Sequence, residues 1–378
     1  MSVMEYTLYQ KWSQLQKKYP SEKITTLFGD DLQVQGSTTR DAIASVKDNI
    51  WIPNSPMDYK KLKPVLVCTN GKTTLSKEFT ILRDFISTQK NNANIGRRLN
   101  YIVIDETSGK YLGIITIGSD FLDMTARDVY IGWDRNTKTN RGMINHTAIG
   151  AVIVPTQPLG YNYVGGKLLA LLCLSDTIQK DWLDTYGDVL VGVTTTSLWG
   201  TTKKSRLSQY DNLKYWKKMG YTTGSISYEN EQDTMDIMLA WLLEKFPRKY
   251  FEWYSAKTKD GQRYKRDIRN RTRQFIYSRL GIDKNLSRSS HERGIYFSPL
   301  YRNTTDFLTQ KISASDLVKA FDTEDAILAE IWRDKYAQHR IERLVERKQT
   351  NLGTLFYDDM IYLTWQETKD KYIRDVGR

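Results

Sequence analysis

The apolar positions of this chain fall into short unbroken runs first and helical spacings later. Tyr101–Asp105 and Tyr111–Ile117 are two such runs on either side of Glu106–Lys110, which predicts an antiparallel hairpin. Lys63–Cys68 predicts a further buried strand, with a helix after it from Thr74 to Thr88. Ile149–Val154 predicts another strand, broken by Pro155, Pro158 and Gly160, after which Gly165 and Gly166 open an apolar helix that reaches Ser175. A second amphipathic run, Asp176–Tyr186, leads to Gly187 and to the β-branched strand Val189–Thr196. Strand, glycine turn, helix and strand in this order predict a βαβ unit. Tyr210–Gly220 reads as a short helix stopped at Gly220 and followed by a strand. Helical spacing also marks Glu5–Lys18, Glu229–Lys245, Glu324–Lys348 (as a long exposed helix) and Leu352–Tyr372, Tyr296–Asn303 reads as extended, and Ser313–Asp316 fits a capping box.

Composition narrows the class. The chain has 378 residues, 40% of them hydrophobic and 12% aromatic, enough for two or three cored domains. No apolar run approaches the ~20 residues of a membrane span, and Met1–Pro20 lacks a signal-peptide apolar core, so the expectation is a cytoplasmic protein with no membrane partner. Cys68 and Cys173 lie in apolar segments and are expected as buried free thiols; three scattered histidines argue against zinc.

The net charge of +12 suits nucleic acid only if it is clustered. Between Arg263 and Arg293 ten Lys/Arg stand against three Asp/Glu, interleaved with Tyr264, Phe275 and Tyr277. Phosphate contacts with base stacking would use that mixture, which nominates Arg263, Arg266, Arg269, Arg271 and Arg273. A solvated helix face whose aromatics fill a core has the same composition.

Three stretches carry candidate chemistry. A helix that starts at a glycine turn presents unpartnered amides and a positive dipole end, so Val164–Lys167 is a candidate anion site. Asn70–Thr74 looks like the end of a nucleotide-binding P-loop, but Leu66 stands where that motif needs glycine. Asp120, Asp123, Asp128 and Asp134 could hold Mg²⁺ for a nuclease, although their spacing is irregular.

Several blocks in order resemble one family: Gly96-Arg97-Arg98, Leu112–Gly118, Ala126-Arg127-Asp128 with Ile131-Gly132-Trp133, Tyr161-Asn162 with Gly165–Leu172, Ser175-Asp176, Thr194–Ser197 and Gly220-Tyr221-Thr222. They are similar to the family of the Druantia anti-phage defence protein DruA, over Lys63–Gly224. That family is more distantly similar to the GNAT acyltransferase fold and to the phage Mu Mom protein, a GNAT-like enzyme that modifies adenine in DNA. The resemblance implies an α+β fold: a GNAT-like mixed, largely antiparallel sheet flanked by helices, with a basic, mainly helical C-terminal region. It divides the chain into an N-terminal helical or irregular extension (1–62), a GNAT-like core (63–228) and that C-terminal region (229–378).

By the same resemblance, acyl-CoA or another phosphate-bearing donor would lie on Asn162, Val164, Gly165, Gly166 and Lys167, with its acyl arm along Val193 and Thr194. Tyr210 or Tyr215 would donate a proton to the leaving group, and Asp120 or Asp128 would deprotonate the attacking amine. The chain departs from the GNAT pattern in two places. Its glycine turn has no arginine, and Trp216 stands where many GNAT enzymes have a tyrosine. The implied function is transfer of an acyl or related group to a base of nucleic acid, DNA in the first instance. The alternative is a non-catalytic nucleic-acid-binding component of a phage or anti-phage system.

Overall fold

The computed structural model describes residues 2–18, 42, 44–86, 96–197, 208–222, 225–227, 232–254, 263–282, 288–290 and 293–350. Its strands are β1 (Pro64–Cys68), β2 (Arg98–Asp105), β3 (Tyr111–Ser119), β4 (Thr147–Pro155), β5 (Gly192–Ser197), β6 (Lys217–Tyr221), β7 (Ser225–Ser227), β8 (Arg288–Ser290) and β9 (Gly294–Pro299). Seven of them form one mixed sheet in the order β1-β2-β3-β4-β5-β9-β6, in which every neighbouring pair is antiparallel except β4 and β5. The fold is α+β, with a largely antiparallel sheet flanked by helices.

Continuous apolar runs are what a strand covered on both faces requires. Tyr101 and Val103 of β2 face one core with Ile115 and Ile117 of β3, closed by the helices Gly165–Leu172, Asp176–Tyr186 and Asp325–Trp332. Ile102 and Ile114 face the opposite core, where Phe79 and Leu82 of the helix Thr73–Ile86 cover them. The crossover from β4 to β5 runs through helices, and the pair is parallel, as the βαβ pattern predicts.

Four expectations need correction. The segment after Pro155 is a helix, Gln157–Tyr163, because Pro158 sits in its first turn, where its missing amide is not needed. Ser208–Trp216 forms turns rather than a helix: Asp211 Oδ2 accepts from the Ser208 amide at 2.8 Å, while Asn212 and Tyr215 take φ of +58° and +74°. The chain from Asp325 to Glu346 is not an exposed helix. It is interrupted by a π-type turn at Arg333–Ala337, and it buries Leu328, Trp332, Ala337, Ile341 and Leu344. Cys173 is buried, but Cys68 is only half-buried. The helix expected over Leu352–Tyr372 lies outside the described residues.

The chain divides into two compact units, Met1–Phe28 with Thr223–Glu292 and Gly29–Thr222 with Arg293–Arg378. The first has its own core, in which Leu8 and Trp12 of the helix Val3–Lys18 join Met238, Trp241, Ile276 and Tyr277. The second contains the large sheet. Its chain leaves at the end of β6 and resumes at β9, the neighbouring strand: the Thr222 amide donates to Arg293 O at 2.9 Å and the Arg293 amide to Thr222 Oγ1 at 3.0 Å. The insertion therefore departs and returns at one hydrogen-bonded pair. No described helix is long and apolar enough to cross a membrane.

Candidate functional site

Parallel strands β4 and β5 are paired only at Thr147–Gly192, Ala148–Val193 and Ile149–Thr194, although both continue beyond. Past that point the two strands are no longer paired by their backbones. Thr116 pairs with Val152 and Ile117 with Gly150, which leaves Ala151 as an extra, exposed residue of β4 at the start of the gap. The Thr195 hydroxyl reaches across and donates to Gly150 O at 3.0 Å. Tyr210 is buried above it, its hydroxyl interacting with the side chains of Thr195 and Gln209. Burial pushes that phenol well above its ordinary pKa, so it stays protonated. Trp216 and Tyr296 pack on the Tyr210 ring at 5.4 and 5.1 Å, and Trp216 Nε1 donates to Ala170 O at 3.1 Å.

Gly192–Thr194 is hydrogen-bonded to β4 on one side and β9 on the other. The open edge of β5 therefore begins at Thr195, beyond Val193 and Thr194. Val193 is a core residue, and Thr194 turns its hydroxyl to Asp120.

The glycine turn stands at the far end of β4. Val164 adopts the left-handed conformation (φ +48°, ψ +46°) and joins the two helices on either side of it. Gly165 is packed against Leu159, whose Cγ would lie 2.6 Å from an added Cβ, and a Cβ on Gly166 would overlap Gln209 Oε1. Lys167 Nζ donates to Gln209 O at 2.7 Å and Asp211 O at 3.3 Å, and burial lowers its pKa against the pull of Asp211. Asn162 is fully buried. The turn is thus partly roofed by Gln209–Asp211. Two residues that the sequence did not nominate stand beside it. Lys167 Nζ lies 5.1 Å above the Tyr336 ring, and the Arg340 guanidinium lies 5.8 Å above the Tyr161 ring. Arg340 Nε is buried with no hydrogen-bond partner among the described residues.

Asp120 and Asp128 belong to a buried ionic cluster on the paired end of β4 and β5. Arg127, fully buried, places Nη1 2.6 Å from Asp120 Oδ1 and Nη2 2.6 Å from Asp128 Oδ1, and stacks 5.3 Å over the Trp133 ring. Thr194 Oγ1 donates to Asp120 Oδ2 at 2.7 Å, and Lys138 Nζ lies 2.7 Å from Asp128 Oδ2. Burial pushes the Asp120 carboxyl above the usual range, against Arg127 and the Thr194 and Thr147 hydroxyls. Adjacent Ala126-Arg127-Asp128 in the sequence could have signalled an ion pair; its link to Thr194, on a distant strand, had no local signal. Among the described residues no three His, Cys, Asp or Glu side chains gather as metal ligands.

The structure brings together Asp120, Asp128 and Thr194, and separately Gly166, Lys167 and Tyr210 around Gln209. Tyr215 stands apart, its ring stacked on Phe321 at 3.6 Å with a 5° interplanar angle. In the helix Arg263–Arg279, the side chains of Arg263 and Arg266 lie outside the described residues. Arg269 donates to Gln232 Oε1 at 3.1 Å and Arg271 is exposed, whereas Arg273 is buried and does not face solvent.

A seven-stranded, largely antiparallel mixed sheet with one parallel pair defines the α+β class of this domain. The family model for the Druantia protein DruA matches residues 60–310, and the chain belongs to that family. It is similar to the Druantia protein DruA of Escherichia coli (strain UMEA 4076-1), 28% identical over 246 residues, which are 62% of this chain and 58% of that protein. The match thus spans less than two thirds of the relative's length. No solved structure matches.

Proposed function

We propose that this protein is a GNAT-like transferase acting on nucleic acid, within the anti-phage defence role that membership of the DruA family brings. The observation that carries the proposal is the gap between β4 and β5. It opens after three residue pairs, beside an extra residue in β4, and it starts from the same strand that leads to the glycine turn. An acyl-CoA or another phosphate-bearing donor would rest its phosphates on Val164–Lys167 and send its arm into the gap, along Thr195–Ser197 rather than Val193 and Thr194. Arg340, whose guanidinium lies 5.8 Å above the ring of Tyr161 in the helix before the turn, would supply in this scheme the guanidinium that the turn itself lacks. Tyr210 is the proton donor in this scheme, neutral and hydrogen-bonded towards the gap. Asp120 and Asp128, each held by Arg127, clamp the closed end of the strand pair instead of serving as base.

Thermal melting with acetyl-CoA is the direct test. A ligand at 100 times its dissociation constant adds about 2.7 kcal/mol. No shift with acetyl-CoA or free coenzyme A, together with unmodified nucleosides by mass spectrometry from cells expressing the protein, would sink the transferase.

One observation favours a second reading, a nucleic-acid-binding component without catalysis. Gln209 covers Gly166, and Lys167 is already committed to two carbonyls of the same loop. In that case nucleic acid is bound and coenzyme A is not.

A further inference from the structure

In the smaller unit, Trp253 of the helix Pro247–Tyr254 and Phe246 just before it meet Phe275 of the helix Arg263–Arg279 edge to face, with ring centres 5.7 and 5.0 Å apart. All three rings are half-buried against the core of that unit. Three cations converge on them. Lys249 Nζ lies 5.4 Å from the centre of the Trp253 ring and 5.2 Å from that of Phe275. The Arg271 guanidinium lies 6.0 Å from Trp253, and that of Arg279 lies 5.4 Å from Phe275 and 5.5 Å from Phe246. Arg271, Phe275 and Arg279 recur every fourth residue on one helix, as Lys249 and Trp253 do on the other, so each set shares a helical stripe. Lys249 shares a ring with each arginine, and the two stripes join into one row.

This row lacks counter-charge. Arg271 and Arg279 are exposed, and among the described residues none of the three cations has a carboxylate partner. Glu244 is taken by Lys245 at 2.7 Å, and exposed Glu252, three residues beyond Lys249, does not pair with it.

The geometry selects the occupant. Because the rings are held against the core, the row offers charge rather than the apolar anchor that a bilayer or the centre of a protein interface requires. The eight residues from Arg271 to Arg279 span about 12 Å of helix at ~1.5 Å each, the axial length of three to four phosphates of one duplex strand at ~3.4 Å each. A long side chain seated on a ring has less freedom left to lose when it binds.

We propose that Lys249, Arg271 and Arg279 form a track for the sugar–phosphate backbone of nucleic acid, bound without regard to base sequence. This rests on nucleic acid being the target of the protein. Of the arginines nominated by composition it keeps only Arg271, since Arg269 is bonded to Gln232 and Arg273 is buried.

The test uses the full-length protein and a fluorescein-labelled 20-base-pair DNA duplex, with anisotropy followed over a salt series. The Lys249→Gln/Arg271→Gln/Arg279→Gln variant flattens the slope of log affinity against log salt by about 2.7, at roughly 0.9 per phosphate contact. Arg271→Lys/Arg279→Lys keeps the charge and most of the slope. Glu252→Lys adds a cation beside Lys249 and steepens the slope by about 0.9, a gain that decides the matter should the triple variant melt early. Wild-type binding with slopes unaltered in these variants, or a flattening confined to Arg269→Gln, overturns the track and leaves nucleic-acid binding standing. A wild-type protein that binds neither DNA nor RNA overturns both. If the triple variant loses binding to phosphatidylserine vesicles but keeps the duplex, the row is a membrane contact and the proposal falls.

Discussion

Thr194 donates its hydroxyl to Asp120 Oδ2 at 2.7 Å, a bond that ties the middle of β5 to the residue just after β3, across the intervening β4. Both side chains are buried, and Arg127 completes the arrangement. The paired end of β4 and β5 is therefore fastened by buried side chains, while beyond it the strands have no backbone pairing.

Removing Arg127 should be costly, because it leaves the buried Asp120 without its cation, while half-buried Asp128 keeps Lys138. Arg127→Met is expected to destabilise the protein by about 3–5 kcal/mol. Thr194→Val, which takes one donor from Asp120, should cost about 1–3 kcal/mol. Urea unfolding monitored by tryptophan fluorescence measures both; equal and negligible effects would mean that the cluster is not a fastening.

The two glycines of the turn should behave differently. Gly165→Ala drives a methyl into Leu159, including a 3.1 Å approach to its carbonyl carbon, and is expected to cost about 1–3 kcal/mol. Gly166→Ala meets only the end of an exposed glutamine side chain, which can swing aside. Its melting temperature should stay closer to wild type.

Trp216→Phe keeps the ring packing on Tyr210 but deletes the donor to Ala170 O. About 0.5–1.5 kcal/mol of stability should be lost. If Tyr210 is the proton donor, activity falls through misplacement of that ring, whereas Tyr210→Phe abolishes the protonation step with little change in fold.

The capping box gives a pH signature. Asp316 Oδ2 accepts from the Ser313 amide at 2.9 Å and its hydroxyl at 2.7 Å, and these bonds hold the carboxyl below its ordinary value of 3.8. A depressed carboxylate stabilises fully above the unfolded pKa, and the contribution fades as pH falls through the folded one. The stability difference between wild type and Asp316→Ala should accordingly be constant above about pH 5 and shrink below pH 4. A difference that grows on acidification contradicts the assignment.

Much of the sheet was legible because its signals are local. The β2–β3 hairpin follows from two apolar runs around Glu106–Lys110, and the parallel β4–β5 pair from the helices between them. The place of β9 was not legible. Tyr296–Pro299 reads as extended, but nothing near it tells that it slots between β5 and β6. Ser208–Trp216 misled because Tyr210, Leu213 and Trp216 have helical spacing, and the positive φ of Asn212 and Tyr215 has no glycine to announce it. Of the candidate site, the glycine turn was visible, but Arg340 and Tyr336 were not. They reach it from a helix whose alternating charges look like those of a solvated one.

The hydrogen-bonded pair Thr222–Arg293 has a consequence for how the protein can be dissected. Because the chain exits and re-enters there at one point, β6 and β9 would form an ordinary hairpin if a short turn replaced residues 223–292. The excision must also take Met1–Phe28, since Leu8 and Trp12 would otherwise lose the core they fill. The smaller unit is thus a graft with two roots in the sequence, and a minimal sheet domain is reached by cutting both.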